Sequence, residues 1–366
     1  MSEWRESSLG EQINLKRGYD LPSKNRQDGT IPIFSSSGIS GSHSEKMYDG
    51  PGVITGRYGT IGQVFYSKGA YWPLNTTLYV QDFKGNDTQF IYYFLQQLDW
   101  AKYSDKSAVP GVNRNDVHQE QITIPPLPEQ KAIAAVLSSL DDKIDLLHRQ
   151  NKTLEAMAAT LFRQWFVEEA QEDWEDGLIS DLVEFNPTRK LTKGTIAPYL
   201  EMASLSTDTF NPEGWYDREF SSGTKFANGD TLLARITPCL ENGKTAYVTI
   251  LDKDQVGWGS TEYIVMRPKG DLHPFFAYAL ARNSDFRDFA EGCLAGSSGR
   301  QRVETNHLMS YKIKIPAEGI VQKFNAVAES IAPKLHSNAV QIRTLEKLRD
   351  NLLPKLMSGE VRVDYA

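Results

Sequence analysis

A chain of 366 residues is long enough for two domains of ordinary size, and its 40% hydrophobic and 24% charged residues are typical of a globular protein. No apolar run is long enough to span a membrane, and Cys239 and Cys293 have neither metal-ligand nor redox spacing, so we expect a cytoplasmic protein. The formal net charge of −7 disfavours a simple basic DNA-binding domain, although net charge averages over faces that meet different partners.

The first globular domain is predicted over residues 1–124. Its Gly-, Ser- and Pro-rich first half favours loops and turns over regular elements. Short strands are indicated at 52–55, 63–66 and 77–80 by their β-branched content, and a helix at 90–100 by its apolar side chains.

The first helical region is predicted over residues 125–168. Apolar side chains recur there at alternating spacings of four and three, which is typical of the seam of a coiled coil with one polar break. The seam consists of Ile133, Leu137, Leu140, Ile144, Leu147, Asn151, Leu154, Ala158, Leu161 and Trp165. An amphipathic helix lying on a globular core would show the same stripe, so this region alone leaves both interpretations open.

A second globular domain is predicted over residues 169–315, and it loosely repeats the first. WPLNTTLYV at 72–80 resembles WGSTEYIV at 258–265, and VITGRYGTIG at 53–62 resembles LLARITPCLENGK at 232–244. Each of the latter two stretches places an arginine just after a strand.

The second helical region is predicted over residues 316–366. QNKTLEAM at 150–157 returns as QIRTLEKL at 341–348, a displacement of 191 positions, and the second copy has an apolar seam of its own. Two such helices bury their seams most simply against each other, and chain order makes the pair antiparallel. The residues predicted to pair are Ile144, Leu147, Leu154, Leu161, Leu335, Ile342, Leu345 and Leu352. The predicted fold class is α+β, with two α/β domains of similar fold separated by a coiled coil of two long antiparallel helices, as an internal pseudo-twofold repeat.

Each helical region is predicted to break once. SSLDD offers capping side chains near 138–141, and Pro333 removes an i→i−4 hydrogen bond near 331–333, at a cost of about 3 kcal/mol. The longer pieces would then cross near Leu154 and Leu345, at the centres of their spans.

Further apolar residues widen the stripe beside the first seam. They are Val136, Met157, Phe162 and Phe166. They could pack on the adjoining globular domains, or they could form a docking face for partner proteins.

Patterns typical of catalysis are incomplete in this sequence. GRYGTIG at 56–62 lacks the glycine order of a dinucleotide site, and ENGKT at 241–245 has proline where a phosphate-binding loop needs its first glycine. Asp230, Glu241 and Lys244 approach a nuclease metal site, but the last two are spaced ExxK rather than ExK. We therefore predict no catalytic residue and no metal site.

Loops of both domains carry the side chains that reach base edges and phosphates in DNA. Each alone could be a solvated surface residue, but Arg57 corresponds to Arg235, and Arg114 to Arg300 or Arg302. The predicted DNA-binding residues are Arg57, Tyr58, Lys102, Lys106, Asn113 and Arg114 in the first domain, and Lys225, Arg235, Asn242, Lys244, Arg300, Gln301 and Arg302 in the second.

These motifs resemble one known family over the whole chain. IPPLPEQKAIAAVLSSLDDKIDLLHRQNKTLEAMAATLFRQWF at 124–166 and LRDNLLPKLMSGEVRV at 348–363 resemble the two conserved helical regions of the specificity (S) subunit of type I restriction–modification enzymes. RITPCLENGKTA at 235–246 resembles a recurrent stretch of that family's target-recognition domains.

The resemblance implies that each domain reads half of a bipartite target in double-stranded DNA while the helices set the half-site spacing. Helices of about 27 residues would be about 40 Å long, close to one turn of DNA. It also implies two modification (methyltransferase) subunits docked on the helices, and restriction (motor–nuclease) subunits. S-adenosylmethionine, ATP and Mg²⁺ would belong to those partners, and this chain would hold no cofactor and catalyse no reaction.

Two other classes of function are open on the sequence. A self-contained restriction or modifying enzyme would need the methyltransferase or nuclease motifs that are incomplete here. A coiled-coil scaffold with protein-binding end domains would suit the net charge of −7.

Overall fold

A computed structural model describes residues 4–104, 111–296 and 299–364 of the chain. The chain divides into two compact units, one formed by Met1–Lys143 with Thr344–Ala366 and the other by Ile144–Arg343. They are called the first unit and the second unit below.

The first unit is built from short strands and three short helices, followed by the start of a long helix. In chain order these are β1 (Arg5–Ser8), α1 (Leu9–Gln12), β2 (Asn14–Arg17), β3 (Ile31–Ser35), β4 (Gly38–His43), β5 (Gly52–Gly56), β6 (Val64–Ser67), β7 (Trp72–Pro73), β8 (Thr77–Asp82), α2 (Thr88–Gln96), α3 (Arg114–His118), β9 (Gln121–Ile124) and α4 (Leu127–Arg163).

An antiparallel sheet of order β2-β8-β5-β6 forms the centre of the first unit. A smaller sheet of order β4-β3-β7 contains one parallel pair, β3 with β7, and β1 pairs with β9. β5 is buried along its whole length because it lies between β8 and β6, and α2 packs on the same core. The strands predicted at 52–55, 63–66 and 77–80 are confirmed as β5, β6 and β8.

The helix predicted over 90–100 is shorter and begins earlier. Asp87 caps α2 by accepting a hydrogen bond from the backbone N–H of Phe90 at 2.9 Å, so the helix begins at Thr88. It ends at Gln96, and Trp100 belongs to a separate 3-10 turn over Trp100–Tyr103.

The second unit has the same strand order in its central sheet. Its elements are β10 (Asp176–Leu178), α5 (Ile179–Leu182), β11 (Val183–Phe185), β12 (Ile196–Leu200), β13 (Tyr216–Glu219), β14 (Thr224–Phe226), β15 (Thr231–Ala234), β16 (Thr245–Tyr247), β17 (Gly257–Gly259), β18 (Tyr263–Pro268), α6 (Phe275–Arg282), α7 (Ser284–Gly292), β19 (Leu294–Ala295), β20 (Arg302–Val303), α8 (Thr305–Met309), β21 (Lys312–Lys314) and the first part of α9 (Glu318–Ser358), whose last part belongs to the first unit. The sheet β11-β18-β15-β16 repeats β2-β8-β5-β6, and the parallel pair β12 with β17 repeats β3 with β7. The internal repeat is therefore present in the fold as well as in the sequence.

Both long helices are continuous, so the predicted breaks are wrong. At the first site, the hydroxyls of Ser138 and Ser139 donate to the carbonyls of Ala135 and Val136, as serines do inside a helix, instead of capping a new one. α4 therefore runs for 37 residues and α9 for 41.

α9 passes through Pro333 because only its solvent side loses a hydrogen bond. Pro333 and Glu329, whose carbonyl would have been the partner, are exposed, so water can replace the missing N–H. Ile331, Ala332 and Leu335 are buried on the opposite side and hold the helix to the core.

The two helices run antiparallel within each unit. In the second unit Asn338 donates a hydrogen bond from Nδ2 to Oδ1 of Asn151 at 2.8 Å, and in the first Arg349 contacts Asp141 at 3.0 Å. The predicted crossing at Leu154 and Leu345 is wrong, since the paired polar groups fix a different register. Leu154 instead packs in the cluster that contains Leu335.

The residues predicted to pair are buried to different degrees. Ile144, Leu147, Leu335 and Ile342 are buried, and Leu154, Leu161, Leu345 and Leu352 are half-buried. Of the wider stripe, Phe162 and Phe166 pack with Phe276 and Phe324 in the second unit's core, and Val136 packs on the first unit's core. Met157 remains 50% exposed.

Candidate nucleic-acid interface

An open groove of about 520 Å³ lies at the edge of the first unit's central sheet where β2 and β5 end and β8 begins. It is called the first-unit groove below. It is lined by Lys16, Arg17, Arg57, Tyr58, Leu78, Gly111, Val112, Asn113, Arg114 and Asn115.

Arg57 is positioned by two backbone hydrogen bonds just beyond the end of β5. Its N–H donates to the carbonyl of Thr76 at 2.8 Å, and its own carbonyl accepts from the N–H of Val112 at 2.9 Å. The chain on both sides of Arg57 is therefore fixed, and the side chain leaves the sheet edge into the groove.

Tyr58 forms an aromatic wall beside Arg57. The guanidinium carbon of Arg57 lies 4.4 Å from the centroid of the Tyr58 ring, a cation–π arrangement that leaves this ring 39% exposed. Gly111 faces Tyr58 across an isolated bridge, and a Cβ atom at this glycine would lie 2.4 Å from the ring. A side chain at residue 111 would therefore displace the tyrosine ring from this position.

The first-unit groove concentrates positive charge. Lys16, Arg17, Arg57 and Arg114 line it, and none of the described lining residues carries a carboxylate. The ion pairs between described residues do not include any of these four cations. An acidic chain therefore presents a local basic site, where positive potential attracts phosphate.

The start of α3 holds the groove's polar residues in place. Asn113 caps this helix by accepting a hydrogen bond from the N–H of Asn115 at 3.0 Å, and Arg114 donates to the carbonyl of Leu15 at 3.4 Å. His118 accepts from the N–H of Leu15 at 2.9 Å. Burial, followed by the charge of Arg114, lowers the pKa of His118, which is therefore neutral at physiological pH.

The two remaining predictions in the first domain fall elsewhere. Lys102 forms an ion pair with Glu120 at 2.8 Å, and the pKa of Glu120 is lowered chiefly by its hydrogen bond with Lys102. Lys106 lies outside the described residues.

The second unit repeats the backbone pattern around Arg57 at Arg235. The N–H of Arg235 donates to the carbonyl of Glu262 at 3.0 Å, and its carbonyl accepts from Val303 at 2.9 Å. An isolated bridge joins Ile236 and Arg302, as another joins Tyr58 and Gly111 in the first unit.

This pattern corrects one predicted correspondence. Arg302 occupies the place of Gly111 rather than that of Arg114. Arg114 begins α3, and the residue that begins the equivalent helix α8 is Thr305. Matching the two loops by their arginines failed because Arg114 lies three residues after the bridge residue Gly111, whereas Arg302 is itself the bridge residue.

Arg235 and Arg302 of the second unit are each paired with a carboxylate. Arg302 binds Glu262 through Nε at 2.9 Å to both carboxylate oxygens and through Nη2 at 2.7 Å to Oε1. Arg235 contacts Glu304 at 3.1 Å, and its side chain is only 20% exposed. The hydrogen bonds from Arg302 lower the pKa of Glu262, so this pair is fully ionised at neutral pH.

The other predicted residues of the second domain are dispersed. Lys244 donates to the carbonyl of Met202 at 3.1 Å, and Lys225 lies on β14, with its ammonium 4.9 Å from the centre of the Phe220 ring. Asn242 and Arg300 are exposed, and the backbone of Gln301 exchanges hydrogen bonds with Thr237.

Comparison with known proteins connects these features to one family. The family model for the type I restriction modification DNA specificity domain matches this chain twice, at residues 1–156 and 171–327. The chain belongs to that family. It is a specificity subunit of a type I restriction–modification system.

Relatives along the full chain agree with the match. The MjaIX specificity subunit of Methanocaldococcus jannaschii is 25% identical over 319 residues, 76% of this chain and 70% of that protein. The HindI specificity subunit of Haemophilus influenzae is 20% identical over an alignment of 464 residues, which covers 99% of this chain and all of that protein. The crystal structure of the type I S subunit from M. genitalium has the same fold, with a TM-score of 0.65, 17% identity and coverage of 99% and 97%.

Several residues of the specificity subunit's site were absent from the predicted set. Lys16 and Arg17 line the first-unit groove, and their adjacency at the end of a strand before a glycine was the available signal. Glu262 and Glu304 carry no signal in the sequence, because they are distant in the chain from the arginines that they contact, Arg302 and Arg235. Within the described part of the chain, no helix is long and apolar enough to cross a membrane.

Proposed function

We propose that this specificity subunit reads a bipartite sequence in double-stranded DNA, with one half-site for each unit, and that it catalyses no reaction itself. The observation that carries the proposal is the first-unit groove, where four cations and an exposed tyrosine meet without a carboxylate among the described lining residues. Cations of this kind neutralise phosphates, and the neighbouring amides of Asn113 and Asn115 are suited to base edges. The doubled family match and the repeated sheet support one reading site in each unit.

The two long helices are proposed to set the spacing of the half-sites and to dock the modification subunits. α4 and α9 are continuous over 37 and 41 residues, which makes them stiff elements. Large apolar side chains remain on their surfaces, with Leu146 40%, Met157 50% and Val340 51% exposed. Exposed apolar side chains on both helices are suited to contacts with a partner protein.

The proposed partners are two modification (methyltransferase) subunits and the restriction (motor–nuclease) subunits. S-adenosylmethionine, ATP and Mg²⁺ would be bound by those partners, because the catalytic motifs of this sequence are incomplete. A cytoplasmic location is part of the proposal, since both cysteines are free and the partner is DNA.

The test uses the full chain assembled with its modification subunits, and DNA that contains the motif found by methylome sequencing. Arg57→Gln removes one cation from the groove, so affinity should fall and the slope of log K against log[salt] should decrease by about 0.9 in magnitude. Fluorescence anisotropy across a salt series measures both.

Lys102→Gln is the matched control, because this cation is already paired with Glu120. It should change the salt slope little, and Arg57→Gln should affect discrimination in one half-site only. Equal effects of the two substitutions, or equal loss at both half-sites after Arg57→Gln, would contradict the proposal.

A further inference from the structure

The two units place different side chains at one equivalent position of their central sheets. In the first unit this position holds Tyr58 facing Gly111, and the tyrosine ring fills the space that a side chain at residue 111 would need. In the second unit it holds Ile236 facing Arg302. Because Gly111 lines the first-unit groove, Arg302 lies at the position in the second unit that corresponds to the wall of that groove.

Glu262 occupies one edge of the Arg302 guanidinium. Its carboxylate accepts hydrogen bonds from Nε and Nη2 at 2.7–2.9 Å, so the planar group cannot rotate freely. Among the described residues, no hydrogen bond reaches Nη1, and 42% of the Arg302 side chain is exposed. The outer edge, formed by Nη1 and the second N–H of Nη2, is therefore available to a ligand in a fixed orientation.

An arginine held in this way suits a base better than a phosphate. Two parallel N–H donors match the O6 and N7 acceptors that guanine presents in the major groove. The carboxylate restricts the side chain before binding, so less conformational entropy is lost on contact. It also cancels the net charge, which weakens nonspecific attraction to the DNA backbone. The uncompensated cations of the first-unit groove have the opposite character.

We propose that Arg302, oriented by Glu262, reads a guanine in the half-site contacted by the second unit. This inference rests on the proposed function, that the second unit reads one half of a bipartite DNA target. Glu262 is a positioning residue, since it acts on the base only through Arg302.

The experiment again uses the full chain assembled with its modification subunits. Arg302→Lys keeps the charge and removes the two-pronged donor edge, so discrimination for guanine at one position of one half-site should fall on the order of tenfold to a hundredfold. Glu262→Gln should lower discrimination at the same position by a smaller factor. Arg218→Lys is the matched control at an exposed arginine of β13 in the same unit, and it should leave the motif unchanged.

A modified base tests which atom of the guanine is contacted. Replacing that guanine by 7-deazaguanine removes N7 and should weaken binding by the wild-type complex about tenfold, on the scale of one lost charge-assisted hydrogen bond. The Arg302→Lys complex should discriminate guanine from 7-deazaguanine DNA less than the wild-type complex does, because lysine lacks the planar pair of donors. Thermal unfolding of each variant verifies that the second unit is folded.

The inference is wrong if the affected half-site contains no guanine, if folded Arg302→Lys leaves the motif unchanged, or if its loss is the same on every DNA sequence. The last outcome would mean that Arg302 contacts the DNA backbone and not a base. Arg57→Gln separates this failure from failure of the proposed function. If discrimination in the first half-site changes with Arg57→Gln but discrimination in the second does not change with Arg302→Lys, only the guanine contact is excluded. If neither substitution changes DNA binding, the proposed function is excluded as well.

Discussion

Arginine side chains have two different environments in this chain, and the difference follows from the presence of a carboxylate. Arg57 and Arg114 line a groove without an acidic lining residue among those described, so no carboxylate of the described lining offsets their charge. Arg302 has Glu262 along one edge, which leaves donors but little net charge. The same residue type can therefore contact phosphate in one unit and a base in the other.

A fourth arginine is used for stability. Arg362 donates from Nη2 to Oε2 of Glu129 at 2.6 Å, and the indole N–H of Trp4 donates to the same oxygen at 3.2 Å. Glu129 is fully buried, and these contacts join the chain after α9 to the first turn of α4 within the first unit.

Glu129→Gln should lower the free energy of unfolding by about 1.5–3 kcal/mol, because it removes the buried carboxylate that accepts hydrogen bonds from Arg362 and Trp4. The loss stays below that of a fully buried pair, since 26% of the Arg362 side chain is exposed to water. Urea unfolding of the full chain measures the change. Glu6→Gln, at an exposed carboxylate of β1, should change stability by less than about 0.5 kcal/mol, and equal effects of the two would argue against the buried pair.

The long helices show what residue spacing can and cannot predict. Alternating spacings of three and four indicated both helices and their apolar sides, because burial of a continuous stripe is what folds them. Continuity through Pro333 was not predictable from the proline alone. The cost of a proline depends on whether the orphaned carbonyl can reach water, and this depends on which side of α9 faces the core.

The register of the two helices depends on a polar pair that the apolar pattern does not specify. Asn338 is fully buried and bonds to Asn151 at 2.8 Å. Asn338→Leu alone should lower the free energy of unfolding by about 1–3 kcal/mol, since the amide of Asn151 loses its partner. Asn151→Leu with Asn338→Leu should recover most of that loss, because leucines suit the seam.

Urea unfolding of the wild type, both single variants and the double variant gives the coupling energy. A value of about 0.5–3 kcal/mol is expected for a direct pair. Additive effects would show that Asn151 and Asn338 act independently and that another contact fixes the register.

Duplication made most of the fold predictable from the chain as a whole. The 191-residue displacement and the paired tryptophan motifs indicated two similar domains and two similar helices, and the sheet orders confirm this repeat. The candidate DNA-binding residues were harder to predict from the sequence. Arg57 and Arg235 could be aligned by the strands that precede them, but Glu262 and Glu304 approach Arg302 and Arg235 only in the folded chain. Net charge was equally uninformative, since the acidic total of −7 conceals a basic groove.

If each unit reads its own half-site, substitutions in the two units should change the binding free energy independently. Arg57 and Arg302 lie in different compact units and share no hydrogen-bond or ion-pair partner among the described residues. For sites without shared partners, effects on binding add within about 0.3–0.5 kcal/mol. The complex carrying both Arg57→Gln and Arg302→Lys should therefore lose the sum of the two single losses in binding free energy, measured by anisotropy on the cognate DNA. DNA altered in one half-site provides the control, since each single variant should lose discrimination only within its own half-site while it keeps full discrimination in the other. A double variant that loses no more than one single variant would mean that both arginines serve one shared contact, and would exclude a bipartite division of the target.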